Sequence, residues 1–199
     1  MKRREFLTST IASMAMGQVA FAHSPAQYDE MIPPSGLPES MLPRIVDYPE
    51  VPVPGEIHVN PNRFALYWTL GGGTALRYSV GIGRQGLYEP GEFYVAHKRK
   101  WPPWTPTPGM IEREPEKYAR YADGMPGGPK NPLGARALYL FDQGGWDTYL
   151  RIHGTDDPST IGQRVSNGCA RLTNDQIVEF YDLVPIGTRV VLQPVNAEG

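Results

Sequence analysis

Cysteine is nearly absent from this chain of 199 residues, which contains only Cys169. A single cysteine excludes any intramolecular disulfide. The chain also lacks an excess of one charge, because its formal net charge is -2. We therefore predict neither nucleic acid nor an anionic membrane surface as a partner. The mildly apolar N-terminal stretch is too short and too rich in Ser, Thr and Gly for a stable membrane span.

Residues 1–22 have the form of a signal peptide. They begin with a basic cluster, continue as a weakly apolar stretch, and end in the small-x-small pattern Ala20-Phe21-Ala22. Residues 2–7, Lys-Arg-Arg-Glu-Phe-Leu, resemble a twin-arginine export signal. We expect export to the periplasm or cell envelope by this route, with no transmembrane anchor left after cleavage. Whether cleavage follows Ala22 stays open.

Two further regions follow the signal. Residues 23–55 are rich in proline and have no periodicity, which predicts an extended lead-in that is partly ordered on the domain surface. Residues 56–194 form the predicted catalytic domain. Within that domain, residues 101–134 are rich in proline and glycine, and a structureless loop of this length is often functional. Trp101 and Trp104 in this loop are either exposed stacking surfaces or anchors that pack it onto the core.

Hydrophobic periodicity predicts a mainly β domain that is mostly antiparallel. Apolar residues alternate over 64–70 and again over 76–82, with three glycines between them, which indicates a hairpin. One substantial helix is predicted after Thr173, where Gln176 three residues later has the form of a capping box. Further strands are predicted at residues 92–98, 137–141, 148–153 and 188–192.

The chemistry predicted for the domain centres on Cys169 and His153. A cysteine attacks as the thiolate, and an imidazole can accept its proton. His153 lies sixteen positions before Cys169 (169 minus 153), so the two meet only if they lie on adjacent strands joined by residues 155–165. Gly168 allows backbone N–H groups to face an oxyanion. Arg171 shares a face with Cys169 in an extended chain, where it can favour the thiolate and bind a substrate carboxylate.

Two segments resemble the signature of the L,D-transpeptidase (YkuD-like) catalytic domain. They are His153-Gly154 and Ser166-x-Gly168-Cys169-x-Arg171-Leu172. Residues 76–83, 90–93 and 128–134 add to the similarity, which covers about residues 56–193. The order of His before Cys is the reverse of papain-like enzymes. The resemblance implies a β-sandwich-like catalytic domain of mixed strands with one helix packed against it.

The resemblance also implies roles for the site residues. Cys169 corresponds to the nucleophile, His153 to the general base, and Gly154 to the position whose backbone carbonyl orients the imidazole. The backbone amides of Gly168 and Cys169 correspond to the oxyanion hole. Arg171 corresponds to a residue that orients the substrate. Ser166 and Asn167 belong to the same substrate-binding and oxyanion loop. Asn167 stands where the family often has a second histidine, so no role of that histidine is transferred.

By this resemblance the protein is a cell-wall enzyme whose substrates are peptidoglycan stem peptides. It implies attack on the diaminopimelate–D-alanine bond of a tetrapeptide stem, followed by transfer to a second stem, giving a three-to-three cross-link, or to an envelope protein. The alternatives are a hydrolase of the same bonds and a non-catalytic cell-wall binding module with a buried cysteine. Neither a cofactor nor a metal is predicted, because His58, His97, His153 and Cys169 lack ligand spacing.

Overall fold

The computed structural model of the chain describes residues 24–51 and 53–196, and the predicted signal peptide lies outside this part. The strands in it are β1 (Arg44–Asp47), β2 (Ile57–Asn60), β3 (Ala65–Gly71), β4 (Thr74–Ser79), β5 (Ile82–Gly83), β6 (Gly91–Lys100), β7 (Arg136–Phe141), β8 (Asp147–His153), β9 (Arg164–Ser166), β10 (Ala170–Arg171) and β11 (Arg189–Leu192). Nine of these strands form one sheet in the order β1-β4-β3-β2-β11-β6-β7-β8-β10, and β5 pairs with β9. Parallel pairing joins β2 to β11, β8 to β10 and β5 to β9.

Helices are few and mostly short. They are α1 (Pro25–Asp29), α2 (Pro108–Arg113), α3 (Pro115–Tyr118) and α4 (Asn174–Leu183), with 3₁₀ turns at Glu39–Met41, Ala119–Tyr121 and Pro158–Thr160. Within the described residues only α4 reaches ten residues. The predicted mainly β fold with one substantial helix is therefore confirmed.

The predicted hairpin is formed by β3 and β4. Leu66 pairs with Tyr78 across it, and both side chains are fully buried in the main core. Gly72 and Gly73 make the turn with φ of 62° and 76°, a region that glycine enters without a Cβ clash. The alternation of apolar residues thus identified the face of the hairpin that lies in the core.

The proline-rich lead-in is more regular than its sequence suggests. It supplies β1, which pairs antiparallel with β4 at the edge of the sheet. Tyr48, just after β1, stacks on Tyr67 of β3 with ring centroids 4.4 Å apart. This contact buries the second face of β3, so both faces of the strand are packed.

An ion pair fastens the start of the lead-in to the domain. Arg136, which is 3% exposed, donates to both carboxylate oxygens of Asp29 at 2.8 and 2.7 Å. Hydrogen bonds from this guanidinium lower the pKa of Asp29. Trp101 Nε1 also donates to Asp29, at 2.8 Å, so the indole is a buried anchor for α1 rather than an exposed stacking surface.

The region 101–134 is not a structureless loop. Thr107 caps α2, and its hydroxyl accepts a hydrogen bond from Met110 N. Trp104 packs edge-on against Tyr118 and Tyr121, with ring centroids about 6 Å away. The prolines at the starts of α2 and α3 occupy first-turn positions that lack a backbone hydrogen-bond partner in any case.

Helix α4 packs against β7 and buries Ile177 and Phe180. The predicted capping box is wrong, because neither Thr173 Oγ1 nor the Gln176 amide has a hydrogen-bond partner. Gln176 is 4% exposed and points into the core, so it cannot reach back to the helix start. The Asp175 carboxylate accepts from Gln176 N instead, at 2.9 Å.

Candidate active site

Cys169 and His153 lie at the ends of two adjacent parallel strands. Strand β8 ends at His153, and Cys169 immediately precedes the edge strand β10. The register pairs Ala170 with Ile152 and Arg171 with His153. Paired residues of neighbouring strands point to one face of the sheet, so the Arg171 and His153 side chains lie together. The chain thus brings the two predicted residues to one edge of the sheet.

The His153 ring is held in one tautomer. Its Nδ1 lies 2.5 Å from Gly154 O, and a carbonyl can only accept, so Nδ1 carries the proton. Nε2 of the neutral ring is therefore an unprotonated acceptor. Burial lowers the pKa of His153 to about 3, with the charges of Arg171 and Arg151 acting in the same direction and the Gly154 bond opposing them. The ring is neutral at pH 7.

The Gly154 peptide is itself tightly held. A Cβ at this position would collide with Asn174 Oδ1 and would lie 3.0 Å from Ala135 N. Asn174 Oδ1 accepts a hydrogen bond from Ala135 N at 2.8 Å. The first residue of α4 therefore packs against the peptide whose carbonyl orients His153.

The thiol of Cys169 is half-buried, and its neighbours act on it in opposite directions. Burial raises the pKa of Cys169, whereas a hydrogen bond from the Arg151 backbone and the charges of Arg151 and Arg171 lower it. Burial is the largest of these effects, so the pKa lies above its usual value. Sγ also lies 4.0 Å from Tyr149 O. The resting site thus has a neutral thiol and a neutral imidazole rather than an ion pair.

Ser166 and Gly168 shape the turn before the cysteine. Ser166 Oγ donates to Cys169 O at 2.6 Å and accepts from Gly168 N at 3.3 Å. Gly168 has a φ of 118°, and a Cβ there would lie 2.8 Å from Leu87 O. A side chain at this position would both strain the backbone and displace the loop.

Arg171 is packed into the protein beside His153. Its backbone exchanges two hydrogen bonds with Gly81, at 2.8 and 3.0 Å. A Cβ on Gly81 would lie 2.9 Å from Arg171 Cγ, and Nε is buried without a partner. Asp156 and Asp157 balance the charge of the guanidinium. Arg171 therefore sets the electrostatics around the thiol and the imidazole.

Asn167 points toward the 101–134 region. Its amide contacts Arg84 at 2.9 Å and the hydroxyl of Tyr118 at 3.0 Å. Arg84 is tied to the same turn by a backbone bond from its N to Ser166 O, at 2.9 Å. Arg84 could not be predicted from local sequence, because it lies more than eighty positions from Asn167.

Arg151 is a further member of the site that the sequence reading missed. It pairs with both oxygens of Asp147 at 2.7 and 2.8 Å, and its guanidinium lies 4.1 Å from the centroid of the Tyr139 ring. It precedes His153 by two positions on one strand, so strand periodicity already placed it on the same face.

Tyr149, two positions before Arg151, has an unusual backbone. Its φ is 60°, which is uncommon for a bulky residue, and its side chain is 69% exposed.

Two site chemistries find no support in the described residues. They contain no group of three or more His, Cys, Asp or Glu side chains arranged to hold a metal ion. Residues 81–86, Gly-Ile-Gly-Arg-Gln-Gly, match the G-x-G-x-x-G pattern of dinucleotide sites. That fingerprint requires a helix to begin at the loop, but a turn follows β5 here.

The fold and the site together define a mainly β domain with a cysteine and a neutral histidine at the ends of adjacent strands. Residues 54–192 match the sequence model of the YkuD family, the L,D-transpeptidase catalytic domain. The chain belongs to this family.

Similar proteins include two of Escherichia coli. The probable L,D-transpeptidase ErfK/SrfK of strain K12 is 35% identical over 173 residues, covering 84% of this chain and 53% of the relative. The probable L,D-transpeptidase YbiS of the same strain is 36% identical over 135 residues, covering 66% of this chain and 42% of the relative. The chain thus spans about half the length of these relatives.

Solved structures share the fold. An Enterococcus faecium L,D-transpeptidase, as its C442S mutant, superposes with a TM-score of 0.51 at 19% identity, covering 71% of this chain and 50% of the other. A Brucella melitensis protein named as a probable carnitine operon oxidoreductase gives a TM-score of 0.54 at 44% identity, covering 81% of this chain and 97% of the other. Its name implies a different chemistry from that of the family to which this chain belongs.

Proposed function

We propose that this protein is a cysteine-dependent L,D-transpeptidase that forms an acyl-enzyme on Cys169. Its substrates are tetrapeptide stems of peptidoglycan, and the bond attacked is the amide between diaminopimelate and D-alanine. The membership of the family supports the reaction class. The neutral His153, on the strand that pairs with the strand following Cys169, supports the assignment of the base.

The observation that carries the proposal is the bond between His153 Nδ1 and Gly154 O. It leaves the Nε2 lone pair as the proton acceptor of the ring. A ring that is neutral at pH 7 has this lone pair free to accept a proton. Gly154 acts here through its carbonyl, as the third member of a Cys–His–backbone triad.

In the first step, Cys169 Sγ attacks the scissile carbonyl carbon while its proton moves to His153 Nε2. The tetrahedral oxyanion faces the Gly168–Cys169 turn, where the Cys169 backbone N–H is the donor and Gly168 N stays bonded to Ser166 Oγ. Collapse breaks the C–N bond, and the imidazolium returns the proton to the D-alanine amine. The raised pKa of the thiol and the lowered pKa of the imidazole both disfavour a standing ion pair, so proton transfer accompanies the attack.

In the second step an amine attacks the thioester. His153 Nε2 takes a proton from the amine, the C–S bond breaks, and the Cys169 thiol is restored. A second diaminopimelate as acceptor gives a three-to-three cross-link, and a lysine of an envelope protein gives an anchored protein. Water as acceptor would make the enzyme a carboxypeptidase or a protein-releasing hydrolase instead.

The proposed site of action is the periplasm or cell envelope, reached through the twin-arginine-like signal of residues 1–22. No helix in residues 24–51 or 53–196 is long and apolar enough to cross a membrane. Fusion of residues 1–30 to a reporter that fluoresces only when exported folded tests the route. Replacement of Arg3 and Arg4 by Lys should retain the reporter inside the cell.

Mass analysis of peptidoglycan fragments tests the reaction. Purified wild type should produce three-to-three dimers and free D-alanine from tetrapeptide stems, and Cys169→Ala should produce neither. D-alanine release without dimers would replace cross-linking by hydrolysis, and stems linked to a protein lysine would select anchoring. No Cys169-dependent product of any kind, with intact binding to peptidoglycan, would favour the non-catalytic binding module.

A further inference from the structure

Residues 107–121, here called the cap, pack against the turn that holds the nucleophile. The cap contains α2, α3 and the 3₁₀ turn Ala119–Tyr121. Its partner is Asn167, two positions before Cys169. The cap therefore contacts the turn that precedes Cys169, whereas His153 lies on the neighbouring strand β8.

Asn167 binds the cap with both ends of its amide. Its Oδ1 accepts from Arg84 Nη2 at 2.9 Å and from Arg113 Nη2 at 3.4 Å, and its Nδ2 donates to Tyr118 OH at 3.0 Å. Arg84 also donates to Glu114 Oε2 at 2.7 Å. Only a side chain that has an acceptor and a donor at one end can make this set of contacts. Asn167 thus ties two residues of the cap, Arg113 and Tyr118, to the cysteine turn, and Arg84 joins the same cluster from outside the cap.

Arg113 is the exposed member of this cluster. Its Nη1 lies 3.2 Å from the place where a Cβ on Gly109 would be, and its Nη2 points to Asn167. The guanidinium is therefore seated between Gly109 and Asn167 and still faces solvent. A seated guanidinium that retains free donors is suited to bidentate binding of a carboxylate.

The other arginines near the thiol are already engaged. Arg84 binds Glu114, Arg151 binds Asp147, and Arg171 is packed against Gly81 beside His153. Each of these guanidiniums is half-buried or buried. Among the described residues Arg171 is in no ion pair either, but it is half-buried, so Arg113 is the arginine of this group that is both exposed and outside an ion pair.

Arg113 is hydrogen-bonded to the turn that carries Cys169. Asn167 and Cys169 are two positions apart, so their Cα atoms are at most about 7 Å apart. When the scissile carbonyl lies at Sγ, the terminal carboxylate of the leaving residue is one residue further along the peptide, about 4 Å away. Because Arg113 is hydrogen-bonded to the turn that ends at Cys169, its guanidinium is an exposed positive charge attached two positions from the nucleophile.

We propose that Arg113 binds a carboxylate of the stem peptide, the terminal carboxylate of the leaving D-alanine, and that Asn167 is the positioning residue that holds Arg113 and the cap in place. This proposal rests on the proposed function. It makes the cap the part of the enzyme that selects a stem ending in a free carboxylate.

Kinetics of Arg113→Gln with two substrates test the contact. The full chain without residues 1–22 is assayed for D-alanine or D-alaninamide release from a tetrapeptide and from the same tetrapeptide amidated at its C-terminus. Loss of a charge-assisted hydrogen bond should raise KM for the free-acid substrate about tenfold with little change in kcat. The amidated substrate should bind wild type and Arg113→Gln alike. A third substrate, amidated only at diaminopimelate, should remain as sensitive to Arg113→Gln as the free acid.

Two matched controls lie on the same cap. Lys117 is exposed with its Nζ 4.0 Å from Glu114, and the Arg120 guanidinium lies 4.6 Å from the Tyr121 ring centroid. Lys117→Gln and Arg120→Gln remove the same charge away from Asn167 and should leave KM unchanged. If KM for the free-acid substrate rose equally in all three variants, the cause would be general charge attraction, and the proposed contact of Arg113 with the carboxylate would be wrong. An unchanged KM for Arg113→Gln would also contradict this contact.

The role of Asn167 is tested by two variants. Asn167→Leu removes both hydrogen-bonding groups and should raise KM for the free acid as Arg113→Gln does. Asn167→Gln keeps an uncharged amide acceptor and donor and should hold KM closer to wild type than Asn167→Leu does, whereas a role in folding alone predicts no such rescue. Losses confined to kcat in both variants would overturn the positioning role. Wild type that is never acylated by any stem peptide would remove the proposed function and this inference together.

Discussion

The two flanks of Cys169 differ in how they are built. On the β8 flank, His153 and Gly154 are fully enclosed and packed against Asn174, and each atom has little room. On the cap flank, Asn167, Arg84 and Arg113 are joined by side-chain hydrogen bonds and are partly or fully exposed. The buried flank fixes a proton acceptor, which needs precise orientation and exclusion of water. The exposed flank offers charges to a ligand that arrives from solvent.

The largest difference between the flanks is expected in catalysis. His153→Gln should reduce the rate of Cys169 acylation by about 10²- to 10⁴-fold, because the general base is lost. Stopped-flow measurement of acylation by a carbapenem, a β-lactam that acylates cysteine, reports this rate directly. His97→Gln is the control, since His97 is exposed on β6 and packs edge-on against Phe141. Comparable rates for both variants would contradict the role of His153.

Stability should depend on pH through the buried flank. Below pH 6.5 the unfolded chain binds a proton at His153, whereas the folded ring stays neutral until about pH 3. Because the folded pKa is lowered, the stabilisation is complete above pH 6.5 and is lost as pH falls toward 3. The free energy of unfolding should fall by about 1.4 kcal/mol per pH unit in this window from this residue. Urea titrations at pH 7, 6, 5 and 4 should show a steeper fall in wild type than in His153→Gln.

Adding one methyl group to each flank should change protein stability in opposite directions, because the two flanks differ in packing. Gly154→Ala places a Cβ against Asn174 Oδ1 and 3.0 Å from Ile177 Cγ2, so overpacking should cost about 1–3 kcal/mol of stability. Gly109→Ala in α2 meets only the end of the Arg113 side chain, at 3.2 Å, and gains helix propensity of about 0.5–1 kcal/mol. Denaturant midpoints should therefore move in opposite directions. Equal shifts would show that the two flanks are packed alike.

The smallest effect is expected at the contact between the cap and Asn167. Tyr118→Phe removes the hydroxyl that accepts from Asn167 Nδ2 and should cost about 1 kcal/mol. Hydrogen exchange should speed up in residues 107–121 and stay unchanged in β8. Equal acceleration in both segments would mean that the cap is not an independent unit.

Short-range sequence patterns predicted several strands and the candidate site residues. Alternation located β3, β4 and β8, and the residues around Cys169 and His153 identified the candidate site. Strand spacing cannot specify which strands become neighbours, yet the parallel pairing of β8 and β10 brings these two residues to one edge. The prediction that Cys169 and His153 meet assumed that their strands are neighbours and did not derive it.

Long-range contacts explain what the sequence did not reveal. The helices of the cap were missed because prolines dominate the region, although Thr107-Pro108 has the form of a helix start. The capping box was wrong because tertiary packing drew Gln176 into the core. The lead-in looked aperiodic because β1 gains its structure from pairing with β4 and from the stacking of Tyr48 on Tyr67.

Intact-protein mass spectrometry of the acyl-enzyme tests the central claim most directly. Wild type and Cys169→Ser are incubated with a tetrapeptide stem or a carbapenem at pH 7, quenched in acid, and mapped by peptide fragmentation. The mechanism predicts an adduct on Cys169 of wild type, equal in mass to the stem without its D-alanine or to the opened carbapenem, and no thioester in the variant. Release of D-alanine by both proteins, with Cys169 unmodified, would contradict it.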